Sequence, residues 1–315
     1  MPVAAAPTRH DAFAVDARPA LLARFPFCAY QRFNTILDCA DAMPIPISAF
    51  IITKNEEVRL PATLAALRPW VDEILVVDSG STDRTIEIAR HFGARVLYRA
   101  WAGYGPQKRF AEGQCRNDWV LNVDADEVLT PELAEELRGL FSRGNGPAPG
   151  AYKARILTVY PGDQRPRPLA NDYNVVRFYH RAVGSFRDHP VFDRVVLRDT
   201  LPQQLRATIF HHPYISFEHV IEKNNRFSSF RSANSRKCPR AMLRFRLIYE
   251  FPLSFVKYYL FRLHFTGGWK GFYFALAHAF MRTSRIAKML ERSTSVGAVP
   301  NPAFVPRPAQ YRKAS

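Results

Sequence analysis

Three short acidic stretches hold the residue types with chemistry in them: Thr53-Lys-Asn-Glu-Glu57, Asp78-Ser-Gly-Ser-Thr-Asp83 and Asp124-Ala-Asp-Glu127. In an extended segment, residues two apart project to the same side, so Asp124 and Asp126 point together while Ala125 turns away. Two carboxylates that close repel unless a cation neutralises them. A small set of hard oxygen donors suits Mg²⁺ or Mn²⁺ shared with a diphosphate. The bland alternative is a strand end at which Asp126 merely caps the next loop. Asp78 and Asp83 flank Ser-Gly-Ser-Thr, a run of turn formers with exposed donors. One of Asp83 and Ser81 is expected to cap the following helix, and Asp78 to accept hydrogen bonds from a base or ribose. No G-x-G-x-x-G, G-x-x-x-x-G-K-[ST] or G-x-S-x-G occurs. Dinucleotide, P-loop and nucleophile-elbow chemistries therefore lose their main support.

These stretches sit at the ends of predicted strands. Ile47–Thr53, Glu73–Asp78, Ala94–Tyr98 and Trp119–Asp124 are apolar, β-branched runs of buried-strand type. Helices are predicted between them: one capped by Asn55 and closed by Pro69, one capped by Ser81 or Thr82 and stopped at Gly93, and one from Pro106 to Cys115. Thr130-Pro-Glu-Leu opens another by the cap-then-proline pattern. This alternation implies an α/β fold with a mostly parallel sheet covered on both faces. Such sheets bind ligands at the carboxyl ends of their strands. Further strands are expected at Tyr152–Val159 and Tyr173–Tyr179, with a loop over 161–168 whose Arg165 and Arg167 are phosphate-contact candidates against a simply solvated loop.

The charge is divided unevenly. The formal net charge is +16 over 315 residues. Residues 1–42 are net zero, residues 43–150 carry 12 basic and 15 acidic side chains, and residues 151–315 carry 28 basic and 9 acidic. With 47% hydrophobic residues the chain can build a core, which excludes wholesale disorder. Cys28, Cys39, Cys115 and Cys238 are far apart and read as reduced thiols of a cytoplasmic protein. No apolar run reaches the ~18 residues of a membrane-spanning helix. Residues 1–43 read as a flexible extension, with Met43 as a candidate natural start.

In order along the chain, Ile51-Ile-Thr-Lys-Asn-Glu-Glu57, Val76-Val-Asp-Ser-Gly-Ser-Thr-Asp83, Gly103-Tyr-Gly-Pro-Gln-Lys108 and Asn122-Val-Asp-Ala-Asp-Glu127 resemble the motifs of family 2 glycosyltransferases. The resemblance is nearest to the branch acting in lipopolysaccharide core biosynthesis. It implies a GT-A fold, a UDP-hexose or similar nucleotide-sugar donor, a divalent metal, inversion at the anomeric carbon and a lipid-linked saccharide acceptor. Glucose is the sugar it points to. Carried over by residue, Thr53, Asn55, Glu57, Asp78, Ser79, Gly80, Asp83, Lys108, Asp124 and Ala125 would bind the nucleotide-sugar, and Asp124 and Asp126 the metal. Arg109 stands where relatives more often have Asn. Members of this branch show Val-His-Asp or Val-His-Glu where this chain reads Val191-Phe192-Asp193. The resemblance makes Asp193 the carboxylate that takes the acceptor proton. Asp188 and Glu127 are rival bases, and His189 is a candidate for orienting the site.

The domain plan expected from these readings is a nucleotide-sugar half over 44–145, an acceptor-side half over 146–214, a helical region over 215–295 and a tail over 296–315. The helical region interleaves Arg and Lys with aromatics, notably over Leu243–Phe265. Basic amphipathic segments of that kind lie in a membrane interface rather than cross it. The expected location is therefore the inner face of the bacterial inner membrane. His211-His212-Pro213 has no carboxylate nearer in sequence than Glu218 and reads as packing rather than metal binding. Two rival functions lack their sequence marks. A nucleotidyltransferase would bring a basic glycine-rich loop after its first strand, and Thr53–Glu57 is acidic and glycine-free. A nucleic-acid-binding protein would carry a recognition signature that the basic half lacks.

Overall fold

The computed structural model describes residues 44–142, 146–170, 172–189, 193–235 and 238–294. The expected extension, Met43, Val191, Phe192 and the tail from 296 lie outside the described residues. The first strands follow the apolar runs: β1 (Ile45–Thr53), β2 (Val71–Asp78), β3 (Arg95–Tyr98) and β4 (Trp119–Asn122). Between them lie α1 (Leu60–Leu67), α2 (Thr85–His91) and α3 (Tyr104–Gln114). Then come β5 (Glu127–Leu129), α4 (Pro131–Phe141), β6 (Ala151–Thr158), β7 (Asp172–His180), β8 (Gly184–Phe186), β9 (Val195–Leu197) and β10 (Gln203–His211). Three helices close the described chain: α5 (Phe217–Ala233), α6 (Arg240–Val256) and α7 (Gly268–Thr294).

Eight strands form one sheet in the order β3-β2-β1-β4-β7-β6-β10-β5. β3, β2, β1 and β4 are mutually parallel, and β10 runs parallel to β6. β7 is antiparallel to both β4 and β6. β6 and β7 are consecutive, and the described residues between them form no helix of the kind that covers a parallel crossover. Phe50, Leu75, Val77, Val120, Tyr179 and Phe186 form the buried centre. Fully burying side chains of this size contributes roughly 1.5–3 kcal/mol each.

Two caps differ from expectation. Asn55 does not cap α1; it adopts a left-handed backbone (φ 56°) and its side chain accepts from Thr82 N at 2.8 Å. α2 begins at Thr85, later than a Ser81 or Thr82 cap would place it, because Asp78 ties the amides of Gly80 and Ser81 into a turn at 2.7 and 2.8 Å. Asp83 supplies the bonds at that helix start, accepting from Thr85 N at 3.0 Å. Thr130 caps α4 as expected, accepting from Leu133 N.

The helical region leaves much apolar surface open. Ile248 and Phe261 are each 79% exposed, with Phe245, Leu253, Phe265 and Trp269 also exposed nearby. The apolar run 272–281 falls inside the 27-residue α7. Among the described residues, no helix is long and apolar enough to cross a membrane.

Candidate active site

Parallel pairing brings the ends of β1, β2 and β4 to one edge: Thr53 registers with Asp78, and Phe50 with Asn122. The first two motif loops bind each other there. Asn55 N donates to Ser81 Oγ at 2.9 Å, Glu57 N to Asp83 at 3.2 Å, and Arg84 N to Glu57 at 3.0 Å. Ser79 N donates to Thr53 O at 3.0 Å, and Gln107 donates to Ser79 Oγ at 3.0 Å. Asp78 is buried and its carboxylate is committed to its own loop, including the Ser81 hydroxyl. In this structure it shapes the Gly80–Ser81 turn rather than facing open space.

The third acidic stretch, Asp124–Glu127, sits among cations. Asp124 meets Lys108 Nζ at 2.8 Å and Arg177 Nη2 at 2.9 Å. Burial pushes the Asp124 carboxyl up, and the charges of Arg177 and Lys108 more than reverse that, so its pKa lies well below the ordinary value. Asp126 faces Arg59 Nη1 at 3.1 Å and His211 Nε2 at 3.3 Å. There too burial is outweighed, by the hydrogen bond and charge of His211 and by Arg59, and the pKa falls. Glu127 has no exposed surface and pairs with Arg177, while its other oxygen accepts from Asp124 N at 3.1 Å. Burial, the largest influence, raises its pKa. A carboxylate so enclosed cannot reach an acceptor hydroxyl.

Lys108 is 1% exposed, and its ammonium bridges Asp124 and Asp193, each at 2.8 Å. Burial alone would lower its pKa; Asp124 and Asp193 raise it above the ordinary value. It touches the carboxylates rather than an open nucleotide surface. Asp193, 41% exposed at its side chain, is thereby brought to the third acidic stretch and keeps solvent access. Gly105 makes that approach possible: a Cβ there would lie 2.4 Å from the carbonyl oxygens of both Arg187 and His189. Asp188 is exposed on the same segment and forms no ion pair with the described residues.

Arg59 and Arg177 are the site residues that sequence reasoning missed, and His211, expected to serve packing, is brought into the site beside Asp126. Arg177 comes from β7, whose antiparallel register puts it beside Asn122, to which it donates at 2.6 Å. His211 ends β10, opposite Glu127 of β5, and His212 N donates to Asp126 O at 2.8 Å. The strand-end rule, extended past residue 150, would have found His211.

The donor set can be tested against a divalent cation. Both oxygens of Asp124 face protein cations, and Asp126 Oδ2 faces both Arg59 and His211 Nε2, so a cation there would share or displace those contacts. Among the described residues no three His, Cys, Asp or Glu side chains gather as a complete cage. Mg²⁺ sites commonly use one or two carboxylates plus substrate phosphates and water. The Asp126 carboxylate, with the His211 imidazole beside it, fits that pattern.

Similarity to known proteins bears on this edge. The model of the family described as Glycosyl transferase family 2 matches residues 48–186. An uncharacterized glycosyltransferase of Rickettsia prowazekii (strain Madrid E) is 37% identical over 255 residues, 78% of this chain and 87% of that protein. The lipopolysaccharide core biosynthesis glycosyltransferase LpsC of Rhizobium meliloti (strain 1021) is 29% identical over 257 residues, 79% of this chain and 93% of that protein. Glucosyl-3-phosphoglycerate synthase of Petrotoga mobilis (strain DSM 10674 / SJ95) is 28% identical over 143 residues, 40% of this chain and 43% of that one.

Proposed function

This chain belongs to glycosyltransferase family 2, and we propose that it moves a hexose from a nucleotide diphosphate donor to a lipid-linked saccharide of the lipopolysaccharide-core type, with inversion. The donor in this reading is a UDP-sugar, with glucose the first sugar to test. The observation that carries the proposal is the strand-end cluster in which Asp124, Asp126 and Asp193 meet Lys108, Arg177, Arg59 and His211. Its address at the carboxyl ends of the strands is where such sheets bind ligands.

Asp126 and His211 would hold a divalent Mg²⁺ or Mn²⁺. When bound, that cation supplies Lewis-acid neutralisation of the departing diphosphate. Arg59 orients Asp126, and Arg177 fixes Asp124 by a second, buried contact to Asn122. The loops of Thr53–Glu57 and Asp78–Asp83, locked to each other, form the nucleotide side. Asp193 takes the acceptor hydroxyl proton as that oxygen attacks the anomeric carbon. Lys108 positions Asp193 from beneath. Holding donor and acceptor together supplies much of the remaining acceleration.

The exposed Phe245, Ile248, Phe261 and Trp269 lie among Arg240, Arg244, Lys257 and Arg262. An apolar surface rimmed by cations suits an anionic bilayer surface. In this reading it holds the enzyme where a lipid-linked acceptor resides.

The deciding experiment is a screen of UDP-, GDP- and ADP-sugars for hydrolysis with and without Mg²⁺ or Mn²⁺. One donor is expected to be cleaved only with metal and only by protein retaining Asp126. Cleavage of none, with Asp126→Ala indistinguishable from the unaltered chain in thermal stabilisation by every donor, overturns the proposal.

A further inference from the structure

The helical region encloses a cavity of about 550 Å³ against the ends of β6, β7 and β10. That lies within the ~300–1,000 Å³ of small-molecule sites. One end is at His211, whose other face meets Asp126, and the other end lies between α5 and α7. On α5, Asn224, Ser228 and Arg231 share one face at spacings of four and three; on α7, Phe274, His278, Arg282 and Arg285 do the same.

The charge of this lining is one-sided. Arg167, Lys223, Arg231, Arg282 and Arg285 line the cavity, and no Asp or Glu among the described residues does. Three of the five are already used structurally; Lys223 donates to Pro213 O at 3.2 Å and lies over the Tyr214 ring. Arg167 donates to the carbonyls of Arg262 and Leu263 at 2.8 and 2.9 Å, and Arg282 donates to Glu250 at 2.7 Å. Arg231 and Arg285 have no carboxylate partner among the described residues; Arg231 lies over the Phe227 ring, and Arg285 Nε is buried without an acceptor. Burial and the nearby guanidinium groups of Arg282 and Arg246 hold the pKa of Arg285 below its ordinary value. Asn224 Nδ2 and His278 Nδ1 are likewise buried and unpartnered. Unpaired buried donors are costly, so a lining that keeps several implies an acceptor-rich occupant. The stacked rings of Tyr160 on Phe274 and Tyr258 on His278, at 4.4 and 4.7 Å, add flat apolar faces.

We propose that this cavity is the acceptor pocket and that it selects a saccharide bearing an anionic group, a phosphate ester or a carboxylate, which Arg231 and Arg285 hold while the rest of the acceptor extends past His211 toward the strand-end cluster, where Asp193 takes the proton of the reacting hydroxyl. The proposal rests on the glycosyltransferase reading above, and it adds a charge requirement on the acceptor. Arg231 and Arg285 are positioning and specificity residues on α5 and α7, outside the Thr53–Glu57 and Asp78–Asp83 loops.

The test titrates the full chain, with UDP and Mg²⁺ saturating so that the donor side is blocked, against glucose 6-phosphate, glucuronate and uncharged glucose. Calorimetry reads affinity. Arg231→Gln, Arg285→Gln and Arg285→Lys are compared, with circular dichroism and melting temperature confirming the fold. One charged sugar is expected to bind at least about tenfold more tightly than glucose, the scale of one charge-assisted hydrogen bond. Each Gln variant should lose about that factor and Arg285→Lys should recover part of it, while metal-dependent hydrolysis of the donor stays unchanged. Whichever of phosphate and carboxylate wins identifies the anion. Equal binding of glucose and both charged sugars, or unchanged affinity in both Gln variants, overturns the inference. So does a result in which the Gln variants lose only binding to phosphatidylglycerol vesicles, since the cations would then face lipid. Loss of donor hydrolysis in every protein, with Arg285-dependent sugar binding intact, would overturn the transferase reading and leave the anion pocket standing.

Discussion

The strand-end cluster and the helical cavity meet at His211, and they handle charge in opposite ways. Around the third acidic stretch each acidic group has its cation: Asp124 has Lys108 and Arg177, Asp126 has Arg59, Glu127 has Arg177 and Asp193 has Lys108. In the cavity no carboxylate pairs with Arg231 or Arg285 among the described residues, and the field of Glu250 only partly offsets that of Arg282 and Arg246 at Arg285. A matched cluster is rigid and preorganised, and a ligand entering it exchanges one set of ion pairs for another. An unmatched cluster is stressed, and a ligand relieves it. The first is suited to chemistry whose geometry must be fixed before the substrate arrives. The second is suited to choosing which substrate arrives.

The contrast can be broken at its catalytic end first. Asp126→Ala removes one of the two converging donors and should lower metal-dependent turnover about 10³-fold, the several kcal/mol attributed to Lewis-acid stabilisation; single-turnover assays at saturating donor measure it. Arg177→Met tests the matching itself. It strands Glu127 without its buried partner, and breaking such a pair costs about 3–5 kcal/mol of stability, read by denaturant unfolding. The pH dependence has a definite sign. The Asp124 pKa is depressed in the folded state, so its contribution is present above the ordinary carboxylate range of about 4 and is lost as pH falls below it. In Arg177→Met that acid-side loss should flatten. Asp193→Asn should lower kcat about 10²-fold with donor KM near unchanged, since only the proton acceptor is removed. Near-normal turnover would transfer the role to Asp188, because Glu127 is enclosed.

The legible part of this molecule was its local part. The strands β1 to β4 follow from unbroken apolar runs, and the parallel rule puts the three acidic stretches at one edge without any coordinates. Of the cations that answer those acids, Lys108 belongs to a recognisable motif, but Arg59 and Arg177 do not show, because each comes from far along the chain: Arg59 lies 67 residues from Asp126, and Arg177 lies 53 residues from Asp124. Nothing in the spacing around Arg177 marks it; only the antiparallel return of β7 makes it a neighbour of Asn122. β5 has three residues, too few for a period to show, yet it sets the register that puts His211 beside Glu127. Asn55 and Asp78 were read correctly as polar strand-end residues, but their bonds close loops that span two motifs, and a cap assignment looks only at neighbours.

The smallest predicted effect concerns the outer surface of the helical region, where the comparison between matched and unmatched groups continues in apolar form. Phe261 and Ile248 are 79% exposed, while the inner face of the same region packs Phe274 and Val220 in a buried cluster. Inserting one such ring into a bilayer interface is worth up to about 1.5–3 kcal/mol, and each nearby Lys or Arg adds about 1 kcal/mol on an anionic leaflet. Phe261→Asp should therefore weaken co-sedimentation with phosphatidylglycerol vesicles by roughly tenfold. Phe261→Ser, which removes the ring without adding a repelled charge, should weaken it less. Hydrolysis of a soluble nucleotide-sugar should be untouched in both, because Phe261 lies outside the strand-end cluster. If vesicle binding survives both changes but collapses in 0.5 M salt, the cations alone hold the surface and the exposed rings serve a protein contact instead.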